Sequence, residues 1–234
     1  MSEITPANPE QRRQTLTKLH GQILGCIACP LHQSRTQAVP GVGSIEAEVM
    51  LVGEAPGHQE DIQGKPFVGP AGKLLDTLLG RIGLNREKVF ISNVLKCRPP
   101  QNRDPRPEEA ETCLPYLRHQ FKLVQPKAVV ILGRHALERM LPGVGPISRV
   151  HGQIFHRMEV AFMPVYHPAA ALHNPSLVGE LERDFDRVKN YLEEVLSTNK
   201  RAAEAGTDSP AASSEPTGQG GQSAAGIEQL RLPQ

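Results

Sequence analysis

Residues 89–100 read VFISNVLKCRPP and carry two chemically useful side chains, a carboxamide at Asn93 and, four positions on, a thiol at Cys97. The apolar run before Asn93 suits a short buried parallel strand, and Pro99-Pro100 forbids its continuation as strand or helix. Both groups therefore leave one strand end, where open α/β sheets put their binding crevices. Two further strand ends offer similar groups. The run at 49–52 stops in Gly53-Glu54-Ala55-Pro56-Gly57, and a later one stops in His167-Pro168; Phe67 lies in the glycine-rich loop 64–72. A carboxylate, a carboxamide, an imidazole and an aromatic face together suit a planar ring with hydrogen-bonding edges. Singly, each has an ordinary explanation: Asn as a turn former, His as a satisfied structural residue, Phe as core.

Cys26 and Cys29 form a CxxCP turn directly after a helix signal, and Cys97 and Cys113 complete a set of four. With a polar N-terminus that carries no apolar signal segment, four cysteines point to metal before disulfides. Spacing leaves zinc and a four-iron cluster both open. The second pair, spread between a strand end and a helix, tilts the reading towards iron–sulfur. Four unrelated buried thiols are the bland alternative. With all ligands from protein no coordination position stays open, so a structural role is expected.

The surrounding pattern must hold these tips together. Asn8-Pro9-Glu10 predicts a helix over 9–24. Strands are predicted at 48–53, 89–95 and 128–132, and two short ones around a turn within 153–166. Helices are predicted from Pro70 to Gly83, from a start within 104–109 (Pro107 near its first turn) through Phe121, from Gly133 to about Leu141, and over 177–196. Residues 33–45 and the stretch between Gly57 and Pro70 read as loop. This alternation predicts an α/β fold of three layers, α/β/α, with a mainly parallel central sheet. One domain is expected over 1–199. From about 200 to 234 the composition turns to Ala, Ser, Gly, Gln and Pro. Such a tail buries too little apolar surface to offset its ordering entropy, so it is expected to be disordered.

No apolar run is long enough to span a bilayer, so no membrane partner is expected. A net charge of +1 by itself implies no nucleic-acid partner. Yet Arg81, Arg86, Lys88, Lys96, Arg98, Arg103 and Arg106 crowd the central strand tip against Glu87 and Asp104. A solvated basic face and a phosphate-binding rim fit that run equally well. No GxGxxG or P-loop fingerprint occurs, which argues against a nucleotide cofactor.

Taken together, GEAPG at 53–57, GKPFVGPAG at 64–72, NVLKCRPPQNR at 93–103, the four cysteines, HG at 151–152 and HP at 167–168 resemble the family 4, iron–sulfur uracil-DNA glycosylases. The resemblance covers about 24–196. It implies a uracil-DNA glycosylase-like fold and hydrolysis of the N-glycosidic bond of deoxyuridine in DNA, leaving an abasic site for base excision repair. It implies a uracil pocket of Gly53, Glu54, Ala55, Phe67, Asn93 and His167, with Glu54, Asn93 and His167 catalytic. Phe67 would stack on the flipped base, Asn93 would read its O4 and N3–H edge, and His167 would donate to O2. Glu54 would orient water, balance charge on the sugar, or contact uracil. The resemblance further implies a structural [4Fe-4S] cluster on Cys26, Cys29, Cys97 and Cys113. Its DNA contacts would be Arg98 and Arg103, with Leu172 and His173 as the wedge in the loop 167–174. Ala55 and the plain CRPPQNR differ from covalent uracil-trapping relatives and favour turnover.

The implied partner is uracil-containing DNA, single- or double-stranded, bound by a monomer in a prokaryotic cytoplasm, nucleoid-associated through that DNA. The competing class is a non-catalytic binder, either a uracil-DNA trap or a zinc-stapled nucleic-acid module. Gln229-Leu230-Arg231-Leu232 looks like the short peptides that dock on sliding clamps, although Pro233 stands where a final aromatic belongs. An end of low-complexity tail without function is the simpler reading.

Overall fold

The computed structural model describes residues 8–205. Its strands are β1 (Val42–Gly43), β2 (Val49–Gly53), β3 (Val89–Asn93), β4 (Ala128–Leu132), β5 (Phe155–Arg157) and β6 (Val160–Val165). They form one sheet of order β1-β3-β2-β4-β6-β5. The middle four strands are parallel and the two edges antiparallel. The α-helices are α1 (Pro9–Leu24), α2 (His58–Gln63), α3 (Pro70–Arg81), α4 (Pro107–Val124), α5 (Arg134–Met140), α6 (Ile147–Val150), α7 (Pro168–His173) and α8 (Leu177–Ala205).

The period-2 alternation of a strand sorts its side chains into two cores. Met50, Val52, Phe90, Val129 and Ile131 face one way, onto α1, α4 and α5. Val49, Leu51, Val89, Ile91, Val130 and Met163 face the other, onto α3, α7 and α8. The central strands are buried on both faces, which is why they read as continuous apolar runs. The expected three-layer α/β/α architecture is therefore found. α1 begins as its sequence dictates: the Asn8 side chain accepts the Glu10 N–H at 2.8 Å, with Pro9 in the first turn.

Three stretches read as loop contain short elements: β1 within 33–45, α2 after Gly57, and α7 within 167–174. Two to six residues are too few for a periodic signal to build up. The domain boundary expected after 199 falls inside α8, and the tail from 206, with Gln229-Leu232, lies outside the described residues. Among the described residues no helix is long and apolar enough to cross a membrane.

Candidate active site

Because β2, β3, β4 and β6 are parallel, their carboxyl ends open on one edge of the sheet. The β2–β3 register pairs Gly53 with Asn93 directly. Asn93 is 2% exposed, and its Oδ1 has no hydrogen-bond partner. A buried unpaired acceptor costs about 1–3 kcal/mol unless something outside the chain satisfies it. A Cβ on Gly53 would lie 2.4 Å from that Oδ1 and 2.7 Å from Cζ of Phe67. The bare glycine thus lets amide and ring converge. Gly53→Ala is expected to slow any reaction at this site by tenfold or more, because both side chains must shift. No left-handed backbone is required at Gly53, so the melting temperature should fall by only a few degrees, about 1 kcal/mol.

Phe67 is 5% exposed and sits in the left-handed region at φ 54°, a conformation that costs a non-glycine residue about 1–3 kcal/mol. The surrounding clamp explains how it is held. Arg86 donates to the carbonyls of Pro66 (3.0 Å) and Phe67 and is itself anchored on Asp76 at 2.6 Å. The Glu60 carboxylate accepts the N–H groups of Val68 (2.9 Å) and Gly69 (3.0 Å). Phe67 then stacks against His167, ring centroids 5.5 Å apart and 28° between planes.

His167 leaves the end of β6 as the N-cap of α7, its Nδ1 accepting the Ala169 N–H at 3.1 Å. A neutral imidazole that accepts at Nδ1 carries its proton at Nε2. Burial pushes its pKa down to about 4, so at neutral pH it is an uncharged N–H donor. Glu54 is half-buried, and burial raises its carboxyl above the usual range, with His135 opposing. His135 did not emerge from the sequence. It belongs to Gly133-Arg134-His135 directly after the buried run of β4, which β2 adjoins; that strand-end position was the available signal.

Cys26, Cys29, Cys97 and Cys113 line one narrow pocket together with Ile23, Lys96 and Tyr116. Arg35 Nη1 donates to Cys97 Sγ at 2.9 Å, and the Lys96 N–H to Cys113 Sγ at 3.3 Å. Among the described residues no three of these sulfurs lie within 4.8 Å of one another. Lys96 is 1% exposed, and its ammonium donates to Ser92 Oγ (2.7 Å), Gln120 Oε1 (2.8 Å) and the Asn93 carbonyl (2.6 Å). One side chain therefore ties the cysteine cavity to the backbone of Asn93. Burial lowers its pKa to about 8, opposed by the nearby thiols.

Most of the basic run has internal partners: Arg81 on Asp186, Arg86 on Asp76, Arg103 on Glu109, and Lys96 in the core. Arg98 contacts Asn102 Oδ1 at 2.7 Å and His58 Nδ1 at 2.9 Å near the surface. On α7, Leu172 is 48% exposed and His173 is exposed beside it.

The chain matches the uracil DNA glycosylase superfamily over residues 40–195. It is similar to the type-4 uracil-DNA glycosylase of Sulfurisphaera tokodaii, 45% identical over 196 residues, covering 80% of this chain and 87% of the relative. The type-4 uracil-DNA glycosylase of Archaeoglobus fulgidus is 46% identical over 183 residues, 75% and 92% of the two chains. That of Thermotoga maritima is 38% identical over 187 residues, 77% and 96% of the two. By both the family match and these relatives, the chain belongs to the uracil-DNA glycosylase superfamily, in its type-4 group.

Proposed function

We propose that this chain excises uracil from DNA by hydrolysing the N-glycosidic bond of a flipped-out deoxyuridine. The observation that carries the reading is the orphaned Asn93 Oδ1 in a pocket walled by Phe67 and His167. Uracil offers N3–H to that oxygen, and its O4 accepts from the same amide. Cytosine opposes an acceptor at N3 and a donor at N4 to the same two atoms. A site built to pair such groups rejects the mismatched ring by roughly 10⁴-fold.

The base reaches the pocket only when extruded from the stack. Phe67 stacks on it, and the backbone at Gly53 to Ala55 holds its far edge. As the glycosidic bond breaks, negative charge grows on uracil O2, where His167 Nε2–H donates. A neutral donor suits this step because it stabilises the anion without giving up its proton. Glu54 orients the water that attacks the sugar. Arg98 holds a phosphate, whereas Arg103 is turned onto Glu109 and braces the start of α4; Leu172 with His173 on α7 fills the gap left in the duplex. The protein acts as a monomer on cytoplasmic DNA.

The four cysteines fit a [4Fe-4S] cluster. Four thiols around one cavity, with N–H donors on two sulfurs and a buried ammonium alongside, suit an anionic centre. A tetrahedral zinc with bonds of about 2.3 Å would need every pair of sulfurs at about 3.8 Å, whereas no three of these sulfurs lie within 4.8 Å of one another; several irons would hold them farther apart. The cluster supplies structure, fastening α1 and the CxxC turn to the β3 tip.

The test is an oligonucleotide with one uracil, followed by alkali. Release of free uracil and scission at that position, with thymine and cytosine controls intact, is expected. Retention of uracil DNA without release would replace this reading by a trap, and neither binding nor release would end it.

A further inference from the structure

We propose that Arg86, seated on Asp76, is a positioning residue for Phe67, its guanidinium holding the stacking ring in the strained backbone conformation that faces the flipped base. The inference rests on the reading of Phe67 as the face against which uracil stacks. Arg86 lies in the turn that joins α3 to β3, and Asp76 lies on α3 itself. Arg86 Nε donates to Asp76 Oδ1 at 2.6 Å, and Nη2 to Asp76 Oδ2 at 3.3 Å. That paired contact sets the plane of the guanidinium. From this seat Nη1 reaches the Pro66 carbonyl at 3.0 Å, and Nη2 reaches the Phe67 carbonyl. One side chain therefore ties the loop entering α3 to the turn leaving it. The Phe67 carbonyl is also packed against the first turn of α3, where a Cβ on Gly72 would lie 1.7 Å from its oxygen.

The side chains of Arg86 and Asp76 are 30% and 48% exposed. An ion pair so open to water adds little to stability. Its consequence lies in where it aims the remaining N–H groups. A guanidinium presents its donors in one rigid plane, so a carboxylate and two carbonyls can be held at once; a lysine amine is a point charge on a flexible stem and cannot fix all three. Phe67 needs such a hold. At φ 54° it occupies a conformation that a non-glycine residue leaves unless its surroundings enforce it. The enforcement comes from both sides of the residue. The cation grips the carbonyls of Pro66 and Phe67, and the Glu60 carboxylate grips the N–H groups of Val68 and Gly69. With the guanidinium gone, the first half of that grip is lost. The loop then relaxes and the ring turns from the pocket, while the sheet and α3 stay in place.

The experiment is a double-mutant cycle on single-turnover uracil release by the full-length chain. It compares the parent, Arg86→Gln, Phe67→Ala and the pair, together with Arg86→Lys and Asp76→Asn, with melting temperatures recorded for each. Phe67→Ala should slow release by roughly ten- to a hundredfold, the usual worth of one base–aromatic stack. Arg86→Gln should slow the parent by about tenfold and should add nothing in the Phe67→Ala background, because the ring it positions is gone. Asp76→Asn, a milder change that unseats the guanidinium, should show the same coupling. Arg86→Lys should stay nearer to Arg86→Gln than to the parent. Melting temperatures of the Arg86 and Asp76 variants should fall by only a few degrees. If Phe67→Ala keeps the parent rate, the stacking reading fails. If Phe67→Ala is slow but Arg86→Gln and Asp76→Asn cost nothing, or cost the same factor in both backgrounds, Arg86 is structural and the proposal falls alone. Full recovery by Arg86→Lys would assign the role to charge instead of the planar fork and would overturn it too.

Discussion

His167→Ala should release uracil roughly a hundred to a thousand times more slowly than the parent chain in single-turnover assays, the usual effect of removing one donor from a developing anion. Geometry and electrostatics agree on this residue. The Ala169 N–H occupies Nδ1, so the ring's only proton points elsewhere, at Nε2. Burial keeps the ring neutral down to about pH 4. Its hydrogen bond to O2 strengthens as charge accumulates, so the loss should fall on the chemical step rather than on substrate binding. A variant with normal kcat and a raised KM would place His167 in ground-state binding instead. The variant should fold, since it removes an N-cap from a single short helix, a change worth about 1 kcal/mol.

Cys97→Ser should be more damaging to the fold than any pocket variant. A serine is nearly the size of the thiol it replaces, so little of the effect can come from packing. Binding energy at a structural metal centre is folding energy, and the four cysteines join α1 to β3 and α4. Loss of one ligand is expected to cost more than about 4 kcal/mol, a fall in melting temperature of roughly 10 °C for a chain of this size. Brown colour and violet absorbance should be lost with it. Uracil release should fall as well, because Lys96, adjoining Cys97, grips the Asn93 carbonyl at 2.6 Å. A colourless wild-type protein, with Cys97→Ser as stable as the parent, would contradict the iron–sulfur assignment.

Much of this site was legible because its residues stand directly after long, apolar strand runs. Asn93, Gly53-Glu54 and His167 could be placed at a common sheet edge from hydrophobic pattern alone. The supporting residues were not legible. Glu60 and Arg86 matter only because the Phe67 loop folds back on them, and Arg86 reads in sequence as one more positive charge. Arg81 looks free until Asp186, far along the chain, is brought beside it by α8. His135 became visible once β2 was known to lie next to β4, a strand order that hydrophobic runs do not encode. Pairing partners fixed by tertiary register are what pattern reading lacks.

The most direct test of uracil recognition by Asn93 compares two single-stranded oligonucleotides, one with deoxyuridine and one with N3-methyldeoxyuridine, under single-turnover conditions. The methyl group removes the N3–H that Asn93 Oδ1 needs and leaves O2, O4 and the sugar unchanged. Release of the methylated base should be slower by roughly 10⁴-fold, and Asn93→Ala should narrow that gap. Equal release of the two bases by the parent chain would show that Asn93 does not read uracil.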